Sequence, residues 1–266
     1  MTALPLTSVF LIGSRRSFRL VERNLYVYRH GWLVLLSGFF EPLFYLLGVG
    51  FGIGTLVGTV AGPGGQEIPY QLFVAPALLA SASMNGAINE STFNFFFKLH
   101  YDKTFVSILA TPLSSGDIAV GELIWALIRG GLYAIGFLVV MFVLGLVVSP
   151  WVIFAFPAAL LVGFAFASVG MAATSFMKSW QDFDLIQLVV LPLFLFSATF
   201  YPIETYPPVL QVIVRLTPLY QGVDLIRSLT VGYITPVILF HIAYLAVLGF
   251  AGLFVVSRRL DKLLLT

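Results

Sequence analysis

Cysteine and charged residues are what this sequence most lacks. None of its 266 residues is cysteine, which excludes disulfide bonds, thiolate metal sites and thiol catalysis and leaves the redox compartment undetermined. Charged residues make up 10% of the chain and hydrophobic residues 59%, whereas an ordinary soluble domain is about one quarter charged. This composition excludes a soluble enzyme and a disordered chain. The net charge of +2 is too small to suggest a nucleic acid partner.

The motifs of nucleotide binding and catalysis are also absent. No G-x-x-x-x-G-K-[ST] occurs, so the chain does not bind ATP through a P-loop. The G-x-S-x-G motif with a partner histidine, which would indicate an intramembrane hydrolase, does not occur either. His30, His100 and His241 are scattered over three regions, which predicts no metal cluster. We therefore expect no catalytic residue, cofactor or metal in this chain.

Long apolar intervals are what the sequence does contain. About 20 mostly apolar residues cross a hydrocarbon core of about 30 Å, and the charge-poor intervals divide into six spans. The interval between Arg129 and Lys178 has no Asp, Glu, Lys or Arg and fits two helices joined near Pro150. The sequence thus predicts an all-α integral membrane protein with one transmembrane domain over 1–266. Its predicted spans are 32–57, 70–90, 121–148, 151–177, 185–203 and 235–256.

Basic residues lie mostly on one side of these spans. Arginines precede the first span, and further basic residues follow spans two, four and six, whereas only Arg215 and Arg227 fall in a loop on the other side. Short loops rich in Lys and Arg stay in the cytoplasm. The sequence therefore predicts a multi-pass protein with both termini cytoplasmic.

Residues 1–31 combine arginines with aromatic residues. This composition predicts an amphipathic helix in the lipid headgroup layer, although a disordered basic leader is the alternative. The arginines expected to approach the phosphates are Arg15, Arg16, Arg19 and Arg23.

The loop after span two is too apolar to be a solvated connection. Helical spacing places Tyr101, Phe105 and Ile108 on one stripe of a helix over 95–112, which Pro112 ends. Such a cytoplasmic helix could pack under its own bundle, or it could be the place where a soluble partner docks. The residues proposed for docking are Phe97, His100, Tyr101, Asp102, Lys103, Thr104 and Phe105.

Several prolines interrupt the segment between spans five and six. They limit 204–231 to short helices, predicted over 209–216 and 221–229, which would form a cap on the outer half of the bundle. A lid over an exit path and a structural brace are both compatible with this cap. Its candidate residues are Tyr201, Pro202, Pro218, Asp224 and Arg227.

Four ionisable residues lie at or near membrane depth, where they usually face protein or water. Glu41 precedes a proline within the first span, which fits a cavity or an adjacent helix. Glu90 lies near the cytoplasmic end of span two. Glu122 and Arg129 are two helical turns apart on one face. An ion pair within the bundle is favoured over a substrate site for these groups.

Near the end of the first span, every second residue from Gly48 to Gly54 is a glycine. Gly48 with Gly52 and Gly50 with Gly54 form two overlapping G-x-x-x-G pairs, which allow close helix approach either within the bundle or across a dimer.

Four local strings, in the right order and over nearly the whole chain, carry a family resemblance. They lie at 39–52 in span one, at 104–122 from the predicted cytoplasmic helix into span three, and at 196–203 and 217–227 in the outer region. The sequence resembles the membrane subunits of ABC type-2 exporters, in the branch of nodulation-factor, drug and polysaccharide exporters. Thr217 stands where relatives commonly have asparagine, which affects the local cap and the subfamily but not the class.

The resemblance implies a permease of the bacterial inner membrane that forms a homodimer. It would recruit two copies of a separate ATPase subunit, which would hold ATP and Mg²⁺, and export an amphipathic, lipid-like or glycan-bearing molecule or a drug. Two other interpretations are a proton- or ion-coupled carrier acting through Glu41 and a membrane scaffold without transport. Loss of transport on Glu41→Gln would indicate the carrier, and dependence on neither ATP nor a gradient would indicate the scaffold.

Overall fold

The described residues form a bundle of long helices with one small β-hairpin. The computed structural model describes residues 6–29 and 40–264. Strands β1 (Thr59–Ala61) and β2 (Glu67–Pro69) pair antiparallel, with Val60 opposite Ile68. The helices are α1 (Leu6–Tyr28), α2 (Phe40–Val57), α3 (Tyr70–Tyr101), α4 (Thr104–Leu109), α5 (Ser115–Val143), α6 (Pro150–Thr174), α7 (Phe183–Phe196), α8 (Pro208–Leu216), α9 (Pro218–Val231) and α10 (Val237–Leu264).

Five of the described helices are long and apolar enough to cross a membrane: α2, α3, α5, α6 and α10. The pair α8 and α9, bent by 85°, passes the same test only if it counts as one span. The fold is therefore that of an all-α integral membrane protein, as predicted. The first part of predicted span one, 32–39, lies outside the described residues.

Helix α3 forms the centre of the bundle and is longer than predicted. Its 32 residues reach about 48 Å at 1.5 Å per residue, so it includes predicted span two and the first part of the predicted helix over 95–112. No proline or glycine interrupts 87–101, and two π-helical segments, Glu90–Asn94 and Phe97–Tyr101, continue the helix. The chain turns at Lys103, which has a φ of 49°, before α4 begins.

Predicted span five is shorter than expected. Helix α7 has 14 residues, about 21 Å, and does not reach across a core of about 30 Å. The chain leaves the helix at Ser197 and turns at Ala198, where φ is 54°. Only Phe183 and Phe194 of this helix are buried, so α7 stands at the edge of the bundle.

Small residues let the central helices cross closely. A Cβ on Gly86 of α3 would lie 2.9 Å from Cα of Gly130 on α5. A Cβ on Gly252 of α10 would lie 2.8 Å from the backbone nitrogen of Val169 on α6. Both contacts are closer than carbon atoms tolerate, so each crossing depends on a residue without a side chain.

The two ends of the bundle differ. At one end, here called the hairpin end, α3 begins beside β1 and β2, and α8 and α9 lie at this end as two short helices close to the predicted 209–216 and 221–229. At the opposite end, here called the basic end, α3 ends, α5 begins, and α1 packs along α5. One face of α1 is buried and carries Ser17, Leu20 and Asn24, whereas Phe18 and Tyr26 are exposed. This pattern fits a helix that packs on the bundle with one face and on a membrane surface with the other.

Candidate functional site

Four charged side chains are buried together near the basic end. Glu90 Oε2 accepts a hydrogen bond from Arg129 Nη1 at 2.8 Å. Lys98 Nζ lies 2.6 Å from Glu122 Oε2 and 3.7 Å from Glu90 Oε1. These residues are called the buried charge cluster below. Its two positive and two negative groups neutralise one another, which is what burial of charge requires.

The sequence predicts an ion pair within the bundle for Glu90, Glu122 and Arg129 without assigning partners, and the structure gives the partners. Glu122 and Arg129 do share a face of α5, but each pairs with a residue of α3 rather than with the other. A pair between helices joins α3 to α5, whereas a pair within α5 would stabilise only that helix. The cluster therefore locks the two central helices together.

The π-helical segments of α3 explain how its polar residues face one way. Glu90, Asn94 and Lys98 are spaced four residues apart, and in a regular α-helix each such step rotates by about 40°. Wider π turns reduce this rotation. As a result Asn94 Nδ2 donates to Glu90 Oε2 at 2.7 Å, and Lys98 also reaches α5.

Helix α1 takes part in the same cluster. Lys98 Nζ donates to Asn24 Oδ1 over 3.4 Å, and the Tyr28 ring lies 5.4 Å from the Trp125 ring of α5. Burial, followed by the charge of Glu90, raises the pKa of Tyr28 to about 12, so its hydroxyl stays neutral. Three helices thus meet at one group of buried polar side chains.

Beyond Glu90, the end of α3 reaches the surface of the basic end. This surface carries most of the residues predicted for docking. Phe97, His100, Tyr101, Asp102 and Lys103 are exposed, Thr104 is half-buried, and Phe105 is buried. The five exposed residues are called the α3–α4 surface below. Tyr101 packs on Phe97 with ring centroids 5.2 Å apart.

The predicted stripe of Tyr101, Phe105 and Ile108 is wrong. The turn at Lys103 separates Tyr101 from α4, so the three residues do not share one helix. Phe105 instead packs against Phe95 of α3 at 5.1 Å. One side of α4 packs under its own bundle, and the exposed side belongs to the end of α3.

A polar pocket of about 400 Å³ opens at the hairpin end. It is called the hairpin-end pocket below. Its lining combines the tip of the β-hairpin, the 198–204 loop, one face of α9 and the start of α10. The polar and aromatic members of this lining are Phe73, Glu204, Tyr220, Asp224, Arg227, Ser228, Tyr233, Thr235 and His241.

Arg227 is buried at the base of this pocket. Its Nε donates to the carbonyl of Phe73 at 3.0 Å, and its Nη2 donates to the carbonyl of Ala198 at 2.7 Å. The guanidinium lies 3.7 Å from the centroid of the Phe73 ring. Arg227 therefore ties α9 to α3 and to the loop after α7.

His241 of α10 is also buried, and both of its ring nitrogens face oxygen atoms. Nε2 lies 3.0 Å from Asp224 Oδ2, and Nδ1 contacts Gln221 Oε1. The Gln221 amide nitrogen donates to the carbonyl of Arg215, which directs Oε1 toward the ring. The ring therefore joins α10 to α9 through both Asp224 and Gln221.

The remaining predicted residues are spread over the surface. Glu41 is exposed on the first turn of α2, and Gly48 and Gly52 meet no neighbouring helix within the described residues. Gly54 lies against α3, whereas Gly50 contacts only Leu46 of its own helix.

At the other predicted positions, Arg16 Nη1 donates to the carbonyl of Pro112 at 3.1 Å, and Arg19 and Arg23 are exposed. Tyr201 packs on Tyr206, Pro202 lines the hairpin-end pocket, and Pro218 begins α9. The side chain of Arg15 lies outside the described residues.

Sequence reasoning missed Lys98 and His241 as site residues. Lys98 follows three consecutive phenylalanines, and His241 lies inside an apolar span. An ionisable residue in such surroundings indicates a paired, buried group, so both signals were present in the sequence.

Comparison with known proteins places this architecture in a family. The ABC-2 type transporter family matches residues 16–231. Nodulation protein J of Rhizobium leguminosarum bv. trifolii is 32% identical over 266 residues, covering 98% of this chain and 97% of the relative. Nodulation protein J of Bradyrhizobium diazoefficiens is 31% identical and covers 90% and 92%. Its namesake in Sinorhizobium fredii is 32% identical and covers 87% of both chains. On this match of sequence and helical architecture, the chain belongs to the ABC-2 type transporter family and is a membrane permease of a bacterial ABC transporter.

Proposed function

We propose that this permease is powered by a separate ATPase subunit that docks on the α3–α4 surface and exports an amphipathic molecule. One observation carries the proposal: the exposed aromatic and charged residues of the α3–α4 surface lie at the end of α3, the same helix that contributes Glu90 and Lys98 to the buried charge cluster. ATP and Mg²⁺ would be held by the ATPase subunit, since this chain has no P-loop.

The basic end would face the cytoplasm. The residues on or near it include Arg16, Arg19, Lys103 and Arg259, and loops rich in basic residues stay in the cytoplasm. Both termini would then be cytoplasmic, in the inner membrane, and the hairpin end would face outward.

The buried charge cluster gives a physical route for coupling. A partner that displaces Tyr101 or Asp102 would push on α3, and α3 cannot move alone because Glu90 and Lys98 hold α5 and α1. The three helices would therefore move as one lever. Such a rigid-body shift is a common way to change an access path.

A second copy of the chain would complete the path. The outer face of α2 exposes Glu41 together with Gly48 and Gly52, and a carboxylate at membrane depth faces protein or water rather than lipid. The glycines allow close helix approach. These features support a homodimer that meets along α2.

An apolar groove supports an amphipathic cargo. It measures about 640 Å³ and lies mainly between α3, α6 and α7. At membrane depth such a groove can hold an acyl chain. Drug, lipid, nodulation-type glycolipid and polysaccharide are the cargo classes to screen.

The proposal is tested by mild-detergent purification of the tagged chain from its native membranes, followed by identification of co-purifying proteins and an ATP hydrolysis assay. We expect a soluble P-loop protein in equal proportion. Tyr101→Ala and Asp102→Ala should reduce its recovery and the cargo-stimulated hydrolysis. Tyr201→Ala is the matched control, because this exposed tyrosine lies at the hairpin end.

Three outcomes would count against the proposal. Normal hydrolysis and transport in both docking variants would show that the docking surface is wrong. If no ATPase co-purifies and transport continues after ATP depletion, the permease is not ATP-driven. Loss of transport on Glu41→Gln together with dependence on a pH gradient would then support the carrier.

A further inference from the structure

The apolar groove between α3, α6 and α7 suits a hydrocarbon chain. Among the described residues that line it, only Thr92 and Asp182 have polar side chains, and both are hydrogen-bonded. The Thr92 hydroxyl donates to the carbonyl of Ile88 at 2.8 Å. Asp182 Oδ2 accepts from the backbone nitrogens of Lys178 and Ser179. A polar occupant would therefore lose its hydrogen bonds with water without replacing them.

The groove has about the depth of one membrane leaflet. It begins near the basic end at Phe176 and Asp182, and it reaches Leu193 of α7. Along α7 its lining runs from Leu185 to Leu193, which is about 12 Å at 1.5 Å per residue. Half of a hydrocarbon core of about 30 Å is about 15 Å. An acyl chain in this groove would thus have its polar headgroup at the basic end.

Arg259 of α10 lies at the mouth of the groove. Its guanidinium is 4.7 Å from the centroid of the Phe176 ring, which lines the groove. Nε donates to the carbonyl of Ser175 over 3.5 Å, whereas Nη1 and Nη2 make no hydrogen bond to another described residue. A guanidinium with two available nitrogens can donate to a phosphate through both.

The loop before α7 adds two features of a headgroup site. Lys178 and Trp180 are exposed there, and tryptophan is enriched where a membrane meets water. The mouth combines the positive charges of Arg259 and Lys178 with one carboxylate, Asp182. Asp184 is exposed and is not part of the lining. Basic pockets between membrane helices bind anionic lipid headgroups.

We infer that this groove binds an anionic phospholipid of the surrounding membrane, with an acyl chain between α6 and α7 and its phosphate on Arg259. A zwitterionic lipid has the same chains but no net charge for the basic mouth, so the anionic lipid should bind more tightly. The inference goes beyond the proposed function, because this lipid is a bound component of the membrane and not the cargo. An acyl chain of a cargo would have to displace it.

Binding is tested on the full-length protein, delipidated in detergent and titrated with phosphatidylglycerol or with phosphatidylcholine of the same acyl chains. Native mass spectrometry counts the lipids bound to each protein molecule. We expect phosphatidylglycerol to bind about tenfold more tightly than phosphatidylcholine, as expected for one additional hydrogen bond between charged groups.

A pair of neighbouring arginines locates the headgroup. Arg259→Gln should abolish the tenfold preference for phosphatidylglycerol. Arg258→Gln is the matched control, because Arg258 carries the same charge and also lies 4.7 Å from a ring centroid. That ring belongs to Phe254, which does not line the groove. Arg258→Gln should therefore bind both lipids like the parent protein.

A pair of neighbouring residues on α7 locates the acyl chain. Val189 lines the groove and is 58% exposed, so Val189→Trp should fill the groove without disturbing the core and weaken both lipids. Leu188 is 69% exposed and does not line the groove. Leu188→Trp is therefore the matched control and should leave the binding of both lipids unchanged.

Three results would overturn the inference. They are equal binding of the two lipids by the parent protein, equal losses in Arg258→Gln and Arg259→Gln, and unchanged binding in Val189→Trp. Because Val189 is exposed, its variant remains informative if Arg259→Gln does not fold. The assay needs no ATPase, so selective lipid binding without recovery of an ATPase would overturn only the proposed energy source. Recovery of an ATPase with unselective lipid binding would overturn only this inference.

Discussion

Removing one partner of the buried charge cluster should destabilise the protein strongly. Glu90 is 1% exposed, and its carboxylate lies within 2.8 Å of Arg129 and 3.7 Å of Lys98. Glu90→Gln keeps the shape of the side chain but leaves one positive charge uncompensated. Breaking a buried pair in this way costs about 3–5 kcal/mol. We expect a loss of this size in the free energy of unfolding.

The free energy can be measured by SDS titration in mixed micelles, with fluorescence of tryptophans including the buried Trp125 as the signal. Arg129→Met should cost a similar amount. The double variant Glu90→Gln/Arg129→Met restores charge balance, so it should cost less than the sum of the single variants by on the order of 1–3 kcal/mol.

The exposed pair of Arg19 and Glu22 provides the matched control. Its nitrogen and oxygen atoms are also 2.8 Å apart, but the side chains are 77% and 52% exposed. Exposed pairs contribute about 0.2–1 kcal/mol, so Glu22→Gln should change stability little. The reasoning fails if Glu90→Gln costs no more than Glu22→Gln, or if the double variant is simply additive.

Three smaller predictions use the same titration. Ser114 begins α5 with a capping box, and Ser114→Ala should cost about 1 kcal/mol; no loss would mean that the cap does not contribute. Gly252→Ala places a Cβ 2.8 Å from the Val169 nitrogen and should cost about 1–3 kcal/mol, so an unchanged free energy of unfolding would contradict the crossing. The Thr217 hydroxyl caps α9 by accepting a hydrogen bond from the Tyr220 nitrogen at 3.4 Å. Thr217→Ala should therefore lower the free energy of unfolding by about 1 kcal/mol, whereas Thr217→Asn should keep the cap. A large loss with asparagine would argue against this cap.

The helical architecture was largely predictable, but the bounds of two helices were not. The apolar intervals located α5, α6 and α10 because their length and lack of charge depend only on local sequence. Helix α3 continued past its predicted end because Lys98, which looked like a loop residue, is neutralised by Glu122 of another helix. Helix α7 ends at Phe196, and the carbonyl of Ala198 just beyond it accepts a hydrogen bond from Arg227 of α9, a contact between distant segments that local sequence does not indicate.

The candidate site was predictable by residue type rather than by arrangement. Glu90, Glu122 and Arg129 stood out as costly charges in apolar surroundings, and an ion pair within the bundle was expected, but local sequence could not assign their partners. Five of the residues predicted for docking are exposed on the α3–α4 surface, whereas Phe105 belongs to the core. The pairing of Asp224 with His241 could not be predicted, because it depends on how α9 lies against α10.

By itself the sequence determined that this chain lives in a membrane, that its basic residues gather at one end, and that its strings are those of ABC-2 type permeases. These properties follow from the composition, from the length of the apolar segments and from the order of short motifs along the chain. Tertiary structure alone decided which charges neutralise one another and where the pocket opens. The physical reason is that Lys98 and Asn24, which meet in the cluster, are 74 residues apart, and only helix packing determines which distant side chains share a buried site.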